Sequence, residues 1–294
     1  MLSKCLHSKG TRVTIGVAFA AAFTTAPHFT NSTSCPECVQ ALDPNEWKSF
    51  PLSEIEKLSL DTKRYRVKLP SDDHETGLTT ASCLMVQGES RDGTKKLARP
   101  YTPTTLNKVK GHFDLVIKTY KEGNVSLYMD GLKEGDHLMV KGPFPKIKIE
   151  TNMKKAIGMI AGGTGITPMF QCVQEILDDP RDQTDVTLLY GSRTPSDILL
   201  KKEIDSLAQA HSRFNVVYKV DKSEEGWQGK VGFITSDDIE DFMPKPSSDH
   251  MIFICGPPPL MKAISGNKAP DKTQGQVEGI LKEKGYSESM VYKF

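Results

Sequence analysis

Four short clusters carry the side chains of this sequence that are equipped to hold or move charge. In Ile157-Gly158-Met159-Ile160-Ala161-Gly162-Gly163-Thr164-Gly165-Ile166-Thr167-Pro168-Met169 an apolar run meets a glycine cluster and resumes as a helix-compatible segment. That order reads as strand, tight turn, helix. The first turn of a helix leaves N–H groups unsatisfied and carries partial positive charge, which suits a pyrophosphate. Glycines let a phosphate approach the main chain with no Cβ in the way. The spacing Gly163-x-Gly165-x-x-Pro168 departs from the Gly-x-Gly-x-x-Gly of the dinucleotide-binding turn. Pro168 suits a first helical turn, where its missing N–H costs little. Alone, the stretch fits an ordinary tight connection as well as a nucleotide site.

The second cluster is Arg99-Pro100-Tyr101-Thr102-Pro103. An arginine fork binds phosphate bidentately, and Tyr101 and Thr102 offer an aromatic face and a hydroxyl to a flat heterocycle. A Pro-rich turn with a surface arginine explains the same residues. The third, Gly123-Asn124-Val125-Ser126, opens a short helical segment and could hold a phosphate or simply cap the helix. The fourth, Cys255-Gly256-Pro257-Pro258-Pro259-Leu260-Met261, follows an apolar run. A thiol at a strand end could lie against a bound ring, or be a packing residue.

The elements around these clusters divide the chain. From about residue 44 to 151, short strand candidates separated by Gly and Pro predict an antiparallel β-barrel or sandwich: Arg64–Leu69, Ala81–Gln87, Asp114–Tyr120 and His137–Lys141, with one short helix at Asn124–Gly131. The Arg99 cluster falls between two of these strands. From 152 to 294 the rhythm changes to strand and helix in alternation, with strands at Ile157–Ala161, Val186–Tyr190, Phe214–Val220 and Met251–Cys255. Helices are expected at Pro168–Leu177 and Ile198–Ala210. That alternation predicts a doubly wound parallel sheet.

Residues 1–43 read as a targeting or anchor segment and linker. Lys4, Lys9 and Arg12 occur with no acidic residue before Glu37, and the apolar run Val13–Ala26 is shorter than the roughly 17–25 residues a bilayer span needs. Basic, Ser-containing, acid-poor composition favours a mitochondrial address, in the outer membrane or intermembrane space, and leaves membrane attachment open. A secretory signal, and with it the endoplasmic reticulum membrane, is the alternative. The 294-residue chain carries a formal charge of +1, which gives no whole-protein attraction to nucleic acid. Its six cysteines are too scattered for a disulfide framework. Cys35-Pro36-Glu37-Cys38 has half of a zinc spacing with no second pair, so no metal site is expected.

The four clusters, in this order, resemble those of the ferredoxin-reductase-like flavoenzymes, and within them the NADH–cytochrome b5 reductases, while the tail, with Ser265-Gly266, Gln274-Gly275, Gly279-Ile280-Leu281 and Gly285-Tyr286-Ser287, looks most like those of mitochondrial fungal type. The resemblance covers about residues 44–294. It implies an antiparallel β-barrel FAD domain followed by a doubly wound parallel-sheet NADH domain. It also implies hydride transfer from NADH to FAD, then single electrons to cytochrome b5 or a similar haem protein.

Carried over by residue, Arg99 meets the FAD pyrophosphate, Pro100 belongs to the same cofactor-binding stretch, Tyr101 lies against the flavin, and the Thr102 hydroxyl sits near its reactive nitrogen. Val116, Ile117, Lys118 and Tyr120 match a second flavin-contacting strand, and Gly123, Asn124, Val125 and Ser126 the pyrophosphate turn. Gly162, Gly163, Thr164, Gly165, Thr167 and Pro168, with Cys255, Gly256, Pro257, Pro258 and Met261, bind NADH. Thr102, Thr167 and Cys255 then line the hydride path. Asp221 matches an acidic residue that accepts from a ribose hydroxyl and repels a 2′-phosphate. Lys118 is also a candidate to meet an acidic haem protein. One departure stands out: where the family usually has Gly-Gln-His, this chain has Ala81-Ser82-Cys83. Rival readings are a reductase feeding another acceptor and a non-catalytic nucleotide-binding regulator. The intact clusters speak against the second.

Overall fold

The computed structural model describes residues 39–294; the targeting segment, Cys5 and the Cys35–Cys38 pair lie outside the described residues. Strands β1 (Lys48–Ser59), β2 (Thr62–Lys68), β3 (Ser82–Glu89), β4 (Lys96–Tyr101) and β5 (His112–Lys118) precede helix α1 (Val125–Gly131) and β6 (His137–Pro145). They form one antiparallel sheet in the order β4-β3-β6-β1-β2-β5. Strand β1 serves two neighbours. Its start pairs with β6, its remainder with β2, and a register shift between Leu52 and Glu54 bends it where the partner changes. Beyond β4 the Thr104 N–H donates to the Asp114 carbonyl of β5 at 2.9 Å, drawing the far edges together.

Alternation explains the interior. Phe50 and Leu52, Tyr65 and Val67, Leu84 and Val86, Phe113, Leu115 and Ile117, and Leu138 and Val140 share one buried cluster, as every second residue of a strand must. The Asp114–Tyr120 stretch lacks clean alternation for a definite reason. Val116 points out of the barrel into a second core that it shares with Met169 and Val173. The Arg99 cluster, expected between strands, lies largely on one: Arg99, Pro100 and Tyr101 pair with Val86, Met85 and Leu84.

The remaining elements are β7 (Ala156–Gly162), α2 (Ile166–Asp178), β8 (Asp185–Ser192), α3 (Lys201–Ala210), β9 (Phe214–Val220), β10 (Lys230–Val231), α4 (Ser236–Phe242), β11 (His250–Cys255), α5 (Pro258–Ile264), α6 (Gly279–Glu283) and β12 (Val291–Lys293). Their strands form a parallel sheet in the order β10-β9-β8-β7-β11-β12. Met159 and Leu188 belong to the core on one face, Ile160 and Leu189 to the core on the other, so the sheet is covered on both sides. Helix α3 starts later than the Ile198 periodicity predicts. Leu200 takes φ +57, a left-handed conformation that breaks the helix, while Ile198, Leu199 and Leu200 stay buried as an apolar plug. Helix α2 starts earlier, at Ile166, and Pro168 still falls in its first turn. Among the described residues no helix is long and apolar enough to cross a membrane.

One face of α2 fastens the two sheets together. Gln171, only 1% exposed, accepts from the Ser82 N–H through Oε1 and donates to the Pro103 carbonyl through Nε2, both at 3.1 Å. Gln174 donates to the Thr104 carbonyl at 2.9 Å, Glu175 accepts from Thr80 Oγ1 at 2.8 Å, and Asp178 pairs with Lys108. These positions recur at the helical spacing that makes one stripe. The buried amide is the costly member, since each main-chain group it serves loses about 1–3 kcal/mol when left buried and unpaired. Gln171→Leu keeps the volume and removes both bonds. It is expected to lower stability by about 2–5 kcal/mol, read as a fall in the midpoint of urea unfolding. A midpoint unchanged from wild type would show that the amide does not hold the two sheets.

Candidate functional site

In a doubly wound sheet ligands bind beyond the carboxyl ends of the strands, where the strand order reverses. Here the reversal lies between β7 and β11, which run side by side with Ala161 opposite Cys255. The glycine cluster at the end of β7 and the Cys-Gly-Pro segment at the end of β11 therefore meet. A Cβ on Gly165 would stand 2.1 Å from the Cys255 carbonyl oxygen, and one on Gly162 would stand 2.9 Å from Pro257 Cδ. A Cβ on Gly256 would reach within 3.3 Å of the Gly162 main chain. Gly162, Gly165 and Gly256 thus allow backbone to pack on backbone. This refines the reading that the glycines serve phosphate approach. Gly163, at φ +54 and with nothing near its missing Cβ, is the one left open to a ligand. Gly163–Gly165 form a 3-10 turn leading into α2, and Thr167 Oγ1 donates back to the Thr164 carbonyl at 3.2 Å.

Beyond β11, Pro257 caps α5 and Pro258 opens it. Met261, expected to touch cofactor, is buried in the core beneath, so its side chain supports the segment from behind. Cys255 is partly exposed, and burial pushes its thiol up to about 11. It stays protonated at neutral pH and is therefore a poor nucleophile.

Asp221 follows β9, its N–H donating to the Ser192 carbonyl at 2.9 Å. Desolvation raises its carboxyl pKa, and the neighbouring Arg193 and Lys222 oppose that. The Gly232 N–H donates to the Val220 carbonyl at 2.8 Å, which brings Phe233 to the same sheet edge with its ring 77% exposed. An exposed aromatic beside a ribose-type carboxylate can stack on a base. Sequence reasoning missed Phe233 because its signal is only a lone aromatic after a glycine.

On the barrel, the Arg99 guanidinium meets only the adjacent Ala98 carbonyl, at 2.8 Å, and is otherwise free among the described residues. Tyr101 is part-buried, its hydroxyl pushed up to about 12 by desolvation. The Thr102 hydroxyl makes no hydrogen bond among the described residues, so it is available to a ligand.

On the second strand and in the helix after it, four of the expected side chains are committed within the protein. Val116 is buried against the α2 side and Ile117 inside the barrel, so neither side chain is free to cover a ring. Val125 is likewise core. Lys118 is ion-paired to Asp61 at 3.0 Å and only 18% exposed, which removes it as a free docking charge. Tyr120 is exposed, and its N–H donates to Ser126 Oγ at 3.2 Å. A Cβ at Gly123 would lie 2.1 Å from that oxygen, so Gly123 is needed for the turn to close. Asn124 Oδ1 accepts from the Arg91 N–H at 3.2 Å, beside a groove of about 410 Å³ lined by Glu89, Ser90, Arg91, Asn124, Leu127 and Tyr128. A free guanidinium, an unpartnered hydroxyl, an aromatic face and an open groove next to a tight turn fit an anionic, flat dinucleotide.

The departure from Gly-Gln-His has a structural counterpart. Ala81 sits at φ +60, where glycine is at ease, and is buried at the α2 interface. Cys83 is buried and its thiol is raised by desolvation. It has no imidazole's reach for hydrogen bonding.

Comparison with known proteins agrees with this geometry. A family model described as oxidoreductase FAD-binding domain matches residues 49–149, and one described as oxidoreductase NAD-binding domain matches 159–266. The chain is 46% identical over 258 residues to an NADH-cytochrome b5 reductase-like protein of Arabidopsis thaliana, covering 86% of this chain and 78% of that one. It is 41% identical to NADH-cytochrome b5 reductase 2 of Saccharomyces cerevisiae, covering 98% and 97%. Among solved structures, the cytochrome b5 reductase domain of Ulva prolifera nitrate reductase superposes with a TM-score of 0.76 at 32% identity, covering 87% of this chain and all of that one.

The raised thiol has a measurable consequence. Alkylation of Cys255 by iodoacetamide, followed by peptide mass spectrometry, is expected to be slow at pH 8 and to climb with pH towards about 11. A rate already at its plateau by pH 8 would reveal a thiolate and contradict the neutral role.

Proposed function

Because the chain belongs to the NADH–cytochrome b5 reductase family, we propose that it takes a hydride from NADH onto bound FAD and releases the electrons singly to cytochrome b5. The flavin supplies the two-electron to one-electron conversion, so no protein nucleophile, general acid or metal is required. What the chain contributes is binding and alignment.

The observation that carries this reading is the Gln171 bridge. Thr102 immediately precedes Pro103, whose carbonyl Gln171 holds, and Thr167 lies one turn before Gln171 on the same helix. Residues four apart share a helix face, so this contact supports the two hydroxyls facing one another across the hydride path. In this reading Arg99 and the Gly123–Ser126 turn hold the FAD pyrophosphate, and Tyr101 lies along the flavin. Thr102 donates to its reactive edge. Gly163 and Thr164 receive the NADH phosphates. Thr167 and the neutral Cys255 thiol position the nicotinamide, while Asp221 accepts from the adenosine ribose and Phe233 stacks on the base. The acid-poor N-terminus supports a mitochondrial address with membrane attachment, and cell fractionation with protease protection tests it.

The purified protein is expected to be yellow, to bleach on addition of NADH without oxygen, and to reduce ferric cytochrome b5. A folded, colourless protein that takes up no FAD would sink the proposal. Reduction of ferricyanide but not of cytochrome b5 would point to another acceptor. Thr102→Val should slow flavin reduction in stopped flow by about 2–10-fold, the worth of one neutral hydrogen bond, with NADH affinity unchanged.

A further inference from the structure

Two backbone hydrogen bonds continue past the ends of β8 and β9. The Asp221 N–H donates to the Ser192 carbonyl and the Lys222 N–H to the Arg193 carbonyl, both at 2.9 Å. Arg193, Asp221 and Lys222 are therefore neighbours on the carboxyl edge of the sheet. This is an odd setting for a carboxylate meant to exclude a 2′-phosphate, since an arginine fork and a lysine are what such a phosphate seeks. The Arg193 guanidinium is not free, however. Its Nη2 lies 2.9 Å from Asp61 Oδ2 and 2.9 Å from Asp197 Oδ1. Asp197 stands on its own side, in the turn before α3. Asp61 comes from the β1–β2 turn of the barrel, where it also holds Lys118 at 3.0 Å.

We infer that Arg193 is a latent 2′-phosphate-binding group held out of use by Asp61 and Asp197, so that selection of NADH over NADPH is set across both sheets and not by Asp221 alone. The inference rests on the reading that Asp221 meets the adenosine ribose. Asp61 and Asp197 neutralise the arginine and take the N–H groups of its Nη2. Asp221 then faces the ribose with Lys222 as its only uncommitted cationic neighbour among those acting on it. A purely structural role for the clamp would be small, since Arg193 is 56% exposed and exposed ion pairs contribute little.

The test uses the flavin-loaded full chain in four forms: Asp221→Ala, Asp61→Asn, both together, and both with Arg193→Gln. Steady-state kcat/KM is measured with NADH and NADPH, and binding of 2′,5′-ADP and 5′-ADP is measured by calorimetry. Asp221→Ala should narrow the preference for NADH. Adding Asp61→Asn should raise kcat/KM for NADPH about tenfold further, the size of one charge-assisted hydrogen bond. The gain should appear through KM, with a matching gain in 2′,5′-ADP affinity and none for 5′-ADP. Arg193→Gln should erase both gains. An unchanged ratio in Asp221→Ala removes the ribose reading, and this inference with it. A shifted ratio to which Asp61→Asn adds nothing, or a gain that survives Arg193→Gln, overturns the inference alone.

Discussion

The cleft depends on one buried carboxamide. Gln171 reaches from α2 to the main chain at the start of β3 and to the carbonyl after Thr102. A buried amide satisfied on both sides fixes orientation more strictly than apolar packing can, because sliding by an ångström breaks both bonds at once. The polar stripe of Gln174, Glu175 and Asp178 extends the contact outward along the helix. The Val116, Ala81 and Met169 cluster closes it beneath. Hydride transfer is steeply sensitive to distance and alignment, so a two-sheet enzyme of this kind needs a rigid hinge more than it needs reactive side chains.

The glycines follow the same logic at shorter range. Strand β7 and strand β11 end together, and the turns that leave them can share space only because Gly165 carries no Cβ, while side chains at Gly162 and Gly256 would crowd the contact. Close packing of these turns is what leaves Gly163 facing outward. The single open position for a ligand in this turn is thus a by-product of two backbones pressed together.

Much of this was readable from residue order alone. The change of rhythm near residue 150 gave both fold classes, since strand alternation with Gly and Pro differs from strand–helix alternation at the level of periodicity. The four motifs gave the chemistry. What local pattern could not show was which face a side chain takes once two domains meet. Val116 and Ile117 are adjacent and equally apolar, yet one joins the α2 core and the other the barrel. Leu200 carries no sign of its left-handed turn, because the apolar spacing continues through it. Gln171 reads as a polar residue on an amphipathic helix, and its burial exists only because a second sheet lies over it. Lys118 read as a free cation for the same reason: its partner Asp61 belongs to a strand turn whose position depends on the β2–β5 register.

The distribution of charge gives the site its physical sense. Arg99 at one end and Asp221, Arg193 and Lys222 at the other carry formal charges, and the proposed reading gives all of them to phosphates or ribose hydroxyls. Between them stand Thr102, Thr167, Tyr101 and Cys255, whose thiol and phenol are pushed further from ionisation by burial. On the proposed reading, hydroxyls, a phenol and a protonated thiol offer no ready base to the transfer, and Lys268 is the cation whose charge acts on the Cys255 thiol. On that reading the charged ends select the nucleotide, and the hydroxyl, phenol and thiol groups between them leave the transfer itself to geometry. That division explains why clusters that look unremarkable one by one become specific only when their order along the chain, and the helix that joins them, are taken together.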